Sequence, residues 1–187
     1  MKMAIILATV LGLVLASSSA FADTNSPKAA SDPIFMNYQG ITGDGSTVAC
    51  GGSNSVEISS FQWGVGRAIT SPTGGSSDRE SSAPSVSEIV VTKTTDSSSP
   101  LFLEEALAGE GKTVQIDFCK GEHDQTPYLQ FTLTNTLVSN YSISSGGDRP
   151  SESISLNFEK IKMTAISQTP NGTPITATFD LLANKLQ

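Results

Sequence analysis

The chain has few of the residues from which catalytic and metal sites are usually built. Its 187 residues include one histidine and two cysteines, whereas a structural zinc site normally needs four cysteine or histidine ligands. A serine-histidine-aspartate triad would have to use His123, which lies in a polar stretch without a nucleophile turn beside it. We therefore predict no catalytic residue, no metal site and no cofactor, and we expect a protein that is not an enzyme.

Charged and aromatic residues are also scarce, and the charge balance is acidic. Charged residues make up 16% of the chain, aromatic residues 6%, and the formal net charge is −7. An acidic chain repels phosphate, which argues against nucleic acid and anionic lipid as partners. Serine and threonine together number 47. Few charges with many Thr, Ser and Val favour an all-β protein over a helical bundle.

No apolar run is long enough to cross a membrane, but a short one lies near the N-terminus. Lys2 precedes an apolar run of 13 residues, Ala4–Ala16, which is too short to span a bilayer. Ala20-Phe21-Ala22 then supplies the small-x-small pattern of a cleavage site, so we predict export to the periplasm or the cell exterior. The predicted boundaries are a signal peptide at 1–22, a flexible leader at 23–33 and one folded domain at 34–187.

Export would place the two cysteines in an oxidising compartment, where they can pair. Cys119 lies on the strand face opposite Val114, Ile116 and Phe118, and Cys50 lies in a glycine-rich loop. We predict a Cys50–Cys119 disulfide. Two separate thiols remain the alternative, because an even count of two is a weak signal.

Alternating apolar residues predict about seven strands. Val56–Trp63 carries apolar groups on both faces, and a change of apolar parity near Glu159-Lys160 is typical of a β-bulge. The predicted strands are Ile34–Tyr38, Val56–Trp63, Val86–Thr94, and runs centred on Val114–Phe118, Leu129–Leu133 with Leu137–Ile143, Ile154–Phe158 and Ile175–Leu181.

One helix interrupts the strands. Ser99 is a suitable N-cap, Pro100 suits the first helical position, and Gly109 suits the C-terminal cap. Between them Phe102, Leu103, Ala106 and Leu107 recur at helical spacing. Adjacent Glu104 and Glu105 point in different directions on a helix, which makes them a poor pair for glycoside hydrolysis.

A polar segment from Arg67 to Ser85 joins two of the strands. It is too polar to pack and too long for a tight hairpin. A loop of this length in a compact domain is usually functional or reaches a partner.

Three segments carry a more specific signal: Ile58–Gly64, Val91–Asp96 followed by Ser99–Phe102, and Gly146–Pro150 followed by Glu152–Ile161. In order and spacing they resemble the haemolysin-coregulated protein family, Hcp, the tube-forming component of bacterial type VI secretion systems. The resemblance extends from about Ile34 to Thr164, which is most of the chain after the predicted leader.

The resemblance implies a fold and a role. It implies a compact two-sheet β-barrel, mainly antiparallel, with one short α-helix on its side. It further implies subunits that form six-membered rings, stack into a hollow tube and carry cargo, with spike or effector proteins as partners. Members of the family are not usually enzymes unless a further domain is fused to them.

A ring needs a heterologous contact, in which one patch meets a different patch on the next copy. Strands with apolar groups on both faces and a long loop also offer more surface than one small barrel needs. For Arg149, fixed between Gly147 and Pro150, the partner would be Asp148 or Glu152, and an ordinary exposed turn residue is the alternative. The candidate contact residues are Arg67, Asp78 and Arg79 on one side and Asp148, Arg149 and Glu152 on the other.

Two functional hypotheses therefore remain. In the first, the chain is a secreted ring-forming component or effector of a type VI system. In the second, it is an exported Hcp-like binding module that acts in the periplasm or on the cell surface without a contractile machine. Tube proteins of this system need no signal peptide, so the predicted signal at residues 1–22 departs from the family pattern. Sheath, spike and baseplate components encoded beside this chain would separate the two hypotheses in favour of the first.

Overall fold

The computed structural model describes residues 32–45, 50, 52–70, 81–121, 126–167 and 172–187. Within them the chain forms twelve strands and one helix, so the strands are more numerous than the seven predicted. In chain order they are β1 (Ile34–Tyr38), β2 (Val56–Ile58), β3 (Ser60–Gln62), β4 (Val65–Gly66), β5 (Ser85–Val86), β6 (Ile89–Thr94), α1 (Ser99–Ala108), β7 (Lys112–Cys119), β8 (Pro127–Ser144), β9 (Ser151–Asn157), β10 (Lys160–Ala165), β11 (Ile175–Asp180) and β12 (Lys185–Leu186).

Ten of the twelve strands form two sheets that share one long strand, and β4 pairs only with β5. The first sheet has the order β12-β11-β10-β8-β7-β1-β2, and the second has the order β3-β6-β9-β8. Every pair is antiparallel. The expected class, an all-β two-sheet fold with one helix, is confirmed. The barrel is open, because β12 pairs with no described strand except β11.

The 18 residues of β8 cover two of the predicted apolar runs as one strand. Its first half pairs with β7 and β10, and its second half pairs with β9. Asn135 lies at the crossing with a φ of 51°. Asparagine tolerates this left-handed conformation better than most residues, which allows the strand to bend between sheets.

Three sequence predictions fail because neighbouring parts of the chain join different sheets. Val56–Trp63 is not one strand: it breaks at Ser59, so that β2 pairs with β1 in the first sheet and β3 pairs with β6 in the second. The parity change near Glu159 is not a β-bulge. There β9 ends in the second sheet and β10 begins in the first. Val86–Thr94 is likewise divided between β5 and β6.

The helix begins one residue earlier than its predicted cap requires. Ser98, not Ser99, is the N-cap residue, and Gly109 follows the last turn. Phe102 is fully buried and meets Tyr38 edge-on, with ring centroids 5.7 Å apart. Leu103 and Leu107, predicted to share its inward face, are 45% and 77% exposed. No helix in the described part of the chain is long and apolar enough to cross a membrane.

The apolar core lies between the two sheets. Phe61 of β3 stacks on Phe131 of β8 with ring centroids 5.1 Å apart, and Phe118 and Trp63 contact the same ring edge-on. These rings join the second sheet to the first. Around them lie fully buried aliphatic residues, among them Val56, Ile89, Val91, Val114, Ile116, Leu133, Ile154 and Leu156.

Candidate functional site

A buried ion-pair cluster joins the second sheet to the start of the helix. The Lys93 ammonium, which is fully buried, lies 2.9 Å from Glu152 Oε2 and 2.7 Å from Asp96 Oδ1. The Tyr141 hydroxyl donates to the other Glu152 oxygen at 3.0 Å. We call these four residues the Lys93 cluster. Its charged groups satisfy one another, as buried charges must.

Asp96 connects this cluster to the helix. Its Oδ1 accepts hydrogen bonds from the Ser98 backbone N–H at 2.9 Å and from the Ser98 hydroxyl. Burial acts to raise the pKa of Asp96, but the hydrogen bonds from Lys93 and Ser98 and the charge of Lys93 outweigh it and lower the pKa. The carboxylate therefore anchors the first turn of α1 to β6.

The cluster resembles a serine-lysine catalytic pair, but its geometry is different. Lys93 Nζ donates to Ser99 Oγ at 3.3 Å, and the same ammonium donates to two carboxylates. The contact with Ser99 is therefore one of three that share the Nζ donors, and it is not the isolated pair from which a lysine activates a serine hydroxyl. Burial, the hydrogen bond to Glu152 and the charge of Glu152 also raise the pKa of Tyr141 to about 12, so Tyr141 stays a donor. The role of the cluster is structural.

The corner between β8 and β9, residues 145–150, lies beside this cluster. Gly147 has a φ of 116°, which glycine adopts without strain. The Thr95 backbone N–H donates to Pro150 O at 3.0 Å and ties the corner to the segment before the helix. Asp148 and Arg149 are both exposed. Among the described residues, no carboxylate forms an ion pair with Arg149.

Glu152 is not a contact residue of this corner. It is 1% exposed, and its cationic partner is Lys93 and not Arg149. Its carboxylate faces the interior because Glu152, Ile154 and Leu156 alternate on the core face of β9. We therefore remove Glu152 from the candidate subunit contacts and keep Asp148 and Arg149.

An arm of chain leaves the second sheet between β3 and β6. Its described parts are residues 64–70 and 81–87, which pair as β4 with β5 and through an isolated bridge between Ile69 and Ser81. The Ser82 backbone N–H donates to Ala68 O at 3.0 Å. The predicted loop is thus a two-stranded hairpin at its base, with Arg67 exposed on it. Asp78, Arg79 and His123 lie outside the described residues.

An apolar groove separates the base of this arm from strands β10, β11 and β12. Its volume is about 500 Å³. Trp63, Val65 and Arg67 line it from one side, and Met163, Phe179 and Leu186 line it from the other. The Trp63 indole Nε1 is buried without a hydrogen-bond partner among the described residues. The sequence analysis did not find this groove, because it forms where the first sheet extends past the cover of the second.

Cys50 is bonded to Cys119, with the two Cα atoms 6.0 Å apart. Cys119 is fully buried and packs with Phe35 and Cys50 in a small cluster apart from the main core. The bond closes a sequence separation of 69 residues, which is worth about 4 kcal/mol in the chain-entropy model. It fixes the loop after β1 against the outer face of the first sheet.

Asp117 lies on the same outer face and is fully buried without a cation. The side-chain amides of Gln115 and Gln130 donate to its two oxygens at 2.9 and 2.8 Å. Burial raises the pKa of Asp117, and the two glutamine hydrogen bonds offset only part of this effect. Folding therefore favours the protonated form of the Asp117 carboxyl group.

The family model of the type VI secretion system effector Hcp matches residues 35–164, more than two thirds of the chain. The chain belongs to the Hcp family. The sequence prediction of this family is confirmed. No curated protein matches the chain significantly.

Solved structures of Hcp proteins share the fold. Hcp1 of Salmonella typhimurium is 24% identical, with a TM-score of 0.67 over 83% of this chain and 98% of its own. A structure described as a type six secretion system protein is 23% identical, with a TM-score of 0.74 over 84% of this chain and 100% of its own. A type VI secretion system effector of Yersinia pestis is 21% identical, with a TM-score of 0.63 over 79% and 98%.

The segments that carried the resemblance supply the three charged residues of the Lys93 cluster in this Hcp chain. Lys93 and Asp96 lie in the second segment, and Glu152 lies in the third. Strand parity alone offered a signal for the cluster, because Lys93 follows Ile89 and Val91 on one face and Glu152 precedes Ile154 and Leu156. A lysine and a glutamate on the apolar parity of two strands favour a buried ion pair.

Replacing Lys93 should be far more costly than replacing an exposed lysine. Lys93→Met would leave the buried Glu152 carboxylate without a cation, so we expect the free energy of unfolding to fall by about 3–5 kcal/mol. Lys160→Met is the matched control, since Lys160 pairs with Asp180 at 3.3 Å on the surface; a loss below about 1 kcal/mol is expected there. Urea denaturation measures both, and equal losses would contradict the structural role.

Removing the disulfide should destabilise the chain by about 4 kcal/mol in the absence of reductant. The test compares wild type with Cys50→Ala/Cys119→Ala, each with and without dithiothreitol. Reductant should lower the stability of wild type and leave the variant unchanged, which separates the cross-link from side-chain packing. Non-reducing peptide mapping of exported protein that recovers two free thiols would refute the pairing.

Asp117 and Asp96 should give stability differences with opposite pH dependence. The pKa of Asp117 is raised on folding, so the stability it contributes is present at low pH and is lost as pH rises through the folded-state pKa. The pKa of Asp96 is lowered, so its contribution is lost as pH falls. As pH rises from about 3 to 6, the free energy of unfolding of wild type should fall relative to that of Asp117→Asn. Over the same range it should rise relative to that of Asp96→Asn. Differences of the same sign in urea denaturation would disprove the assignment.

Proposed function

We propose that this Hcp chain is exported through its N-terminal signal and assembles into a closed ring of six copies as a structural component of type VI secretion. The observation that carries the proposal is the Hcp family match across residues 35–164 on a two-sheet fold with one helix. The matched region fills most of the folded domain predicted at 34–187. We expect a structural subunit and not an enzyme, with spike or effector proteins as further partners.

The positions of the arm and the corner support a ring. The arm leaves β6 at Ile89, and the corner lies beside the other end of β6, where Thr94 pairs with Ser151. The two features therefore project from opposite ends of the strands of the second sheet. Separate patches of this kind suit the heterologous contacts by which copies join head to tail.

The ring contact should include Arg67 on the arm and Asp148 with Arg149 on the corner. Asp148 and Arg149 are exposed, and no described carboxylate pairs with Arg149 inside the subunit. The guanidinium is thus available to a neighbouring copy. Asp78 and Arg79, within the same predicted loop, remain candidates for this contact.

Native mass spectrometry of protein recovered from outside the cell tests the proposal. We expect six copies per particle, each beginning at Asp23, and Arg149→Ala should weaken the ring without unfolding the subunit, because an exposed turn residue contributes little to the core. A wild type that stays monomeric throughout the micromolar range would overturn the ring and favour an exported binding module. Released protein that retains residues 1–22 would overturn the signal peptide, and an unchanged Arg149→Ala ring would remove only that residue.

A further inference from the structure

The helix presents an apolar ridge that nothing in the described subunit covers. Leu103 and Leu107 are four residues apart, so they lie one above the other on the same face of α1. They are 45% and 77% exposed, while Phe102 alone of the helix is fully buried. We call the two side chains the leucine ridge. Exposed Glu104 lies next to it, and the helix contains no basic residue.

The apolar groove at the base of the arm has the complementary chemistry. Val65 and Leu186 at its margins are 58% and 70% exposed, and Met163 is 37% exposed. Arg67 is the basic residue of its lining. The unpartnered indole N–H of Trp63 also lies among the lining side chains. The groove is thus an exposed apolar surface beside one basic residue.

The groove and the helix lie at opposite ends of β6. The arm, which lines one side of the groove, ends just before β6 begins at Ile89. The helix begins at Ser99, after β6 ends at Thr94, and it packs against β8. One copy can therefore fill the groove of a neighbour with its ridge and still offer its own groove to a third copy.

Charge favours the same pairing. Copies with a net charge of −7 repel one another at long range, so a stable contact needs apolar surface together with local opposite charge. Glu104 beside the ridge and Arg67 beside the groove supply one such pair.

We propose that the leucine ridge of one copy docks in the apolar groove of the next, with Glu104 of the first copy facing Arg67 of the second. The occupant of the groove is thus a second copy of this chain. This inference rests on the proposed ring and names the surfaces that join its subunits.

Matched glutamate substitutions test the apolar part of the contact. Leu103→Glu and Leu107→Glu should raise the concentration at which the ring dissociates by at least about tenfold, because each places a charge in an apolar pocket. Leu137→Glu is the control, since Leu137 is 44% exposed but lies on β8 outside ridge and groove. Trp63 is the only tryptophan of the chain. Its fluorescence should shift to shorter wavelength as the wild-type ring forms and should not shift in Leu107→Glu.

Exchanging the charges of Glu104 and Arg67 tests how the ridge is oriented in the groove. It requires no change to the leucine side chains. Glu104→Arg and Arg67→Glu should each weaken the ring, and the double variant should recover most of the loss. Circular dichroism verifies that every variant is folded, and if the leucine variants unfold, the charge exchange alone decides.

The outcomes separate the docking from the ring. If Leu103→Glu and Leu107→Glu form the ring as well as wild type does, and the double charge variant recovers nothing, this docking is wrong and the ring proposal stands. A loss in Leu137→Glu as large as in the ridge variants would also overturn it. A monomeric wild type would overturn the ring and the docking together.

Discussion

The second sheet, the corner and the helix all depend on one buried ammonium group. Lys93 Nζ joins Glu152 of β9 to Asp96, and Asp96 in turn holds the first turn of α1. Buried ion pairs seldom add much stability, since desolvation offsets most of their attraction. Their geometry is nonetheless demanding, so the pair fixes where the helix begins and on which side of the sheet it packs. The surface that the helix offers to other molecules follows from this arrangement.

Local pattern was enough to predict the fold class, and it failed where strands cross between sheets. Ile34–Tyr38 and the helix near Ser99 follow directly from alternation and helix-end residues. The breaks at Ser59 and Glu159 do not, because a strand that changes its partner keeps its composition. Which sheet a strand joins is decided by pairing between residues distant in sequence, and apolar periodicity contains no information about that pairing.

The candidate site was predictable to a different degree in each of its parts. The exposed corner with Asp148 and Arg149 follows from its glycines and proline. Glu152 stands close to this corner in sequence, but its strand parity with Ile154 and Leu156 places its side chain in the core. The groove beside Trp63 was beyond prediction, since it is lined by the arm and by β10 to β12, which are far apart in the chain. The family segments mark the buried cluster more than they mark a surface.

The continuity of β8 through both sheets also governs how the subunit can lose its structure. Proteins often open in separate cooperative units, each with its own stability. Here a single strand pairs with β7 and β10 at one end and with β9 at the other. Neither sheet can release β8 without disturbing the other, so the two sheets form one cooperative unit. A subunit built in this way is either folded throughout or unfolded throughout, which leaves few partly open forms with exposed strand edges for misassembly.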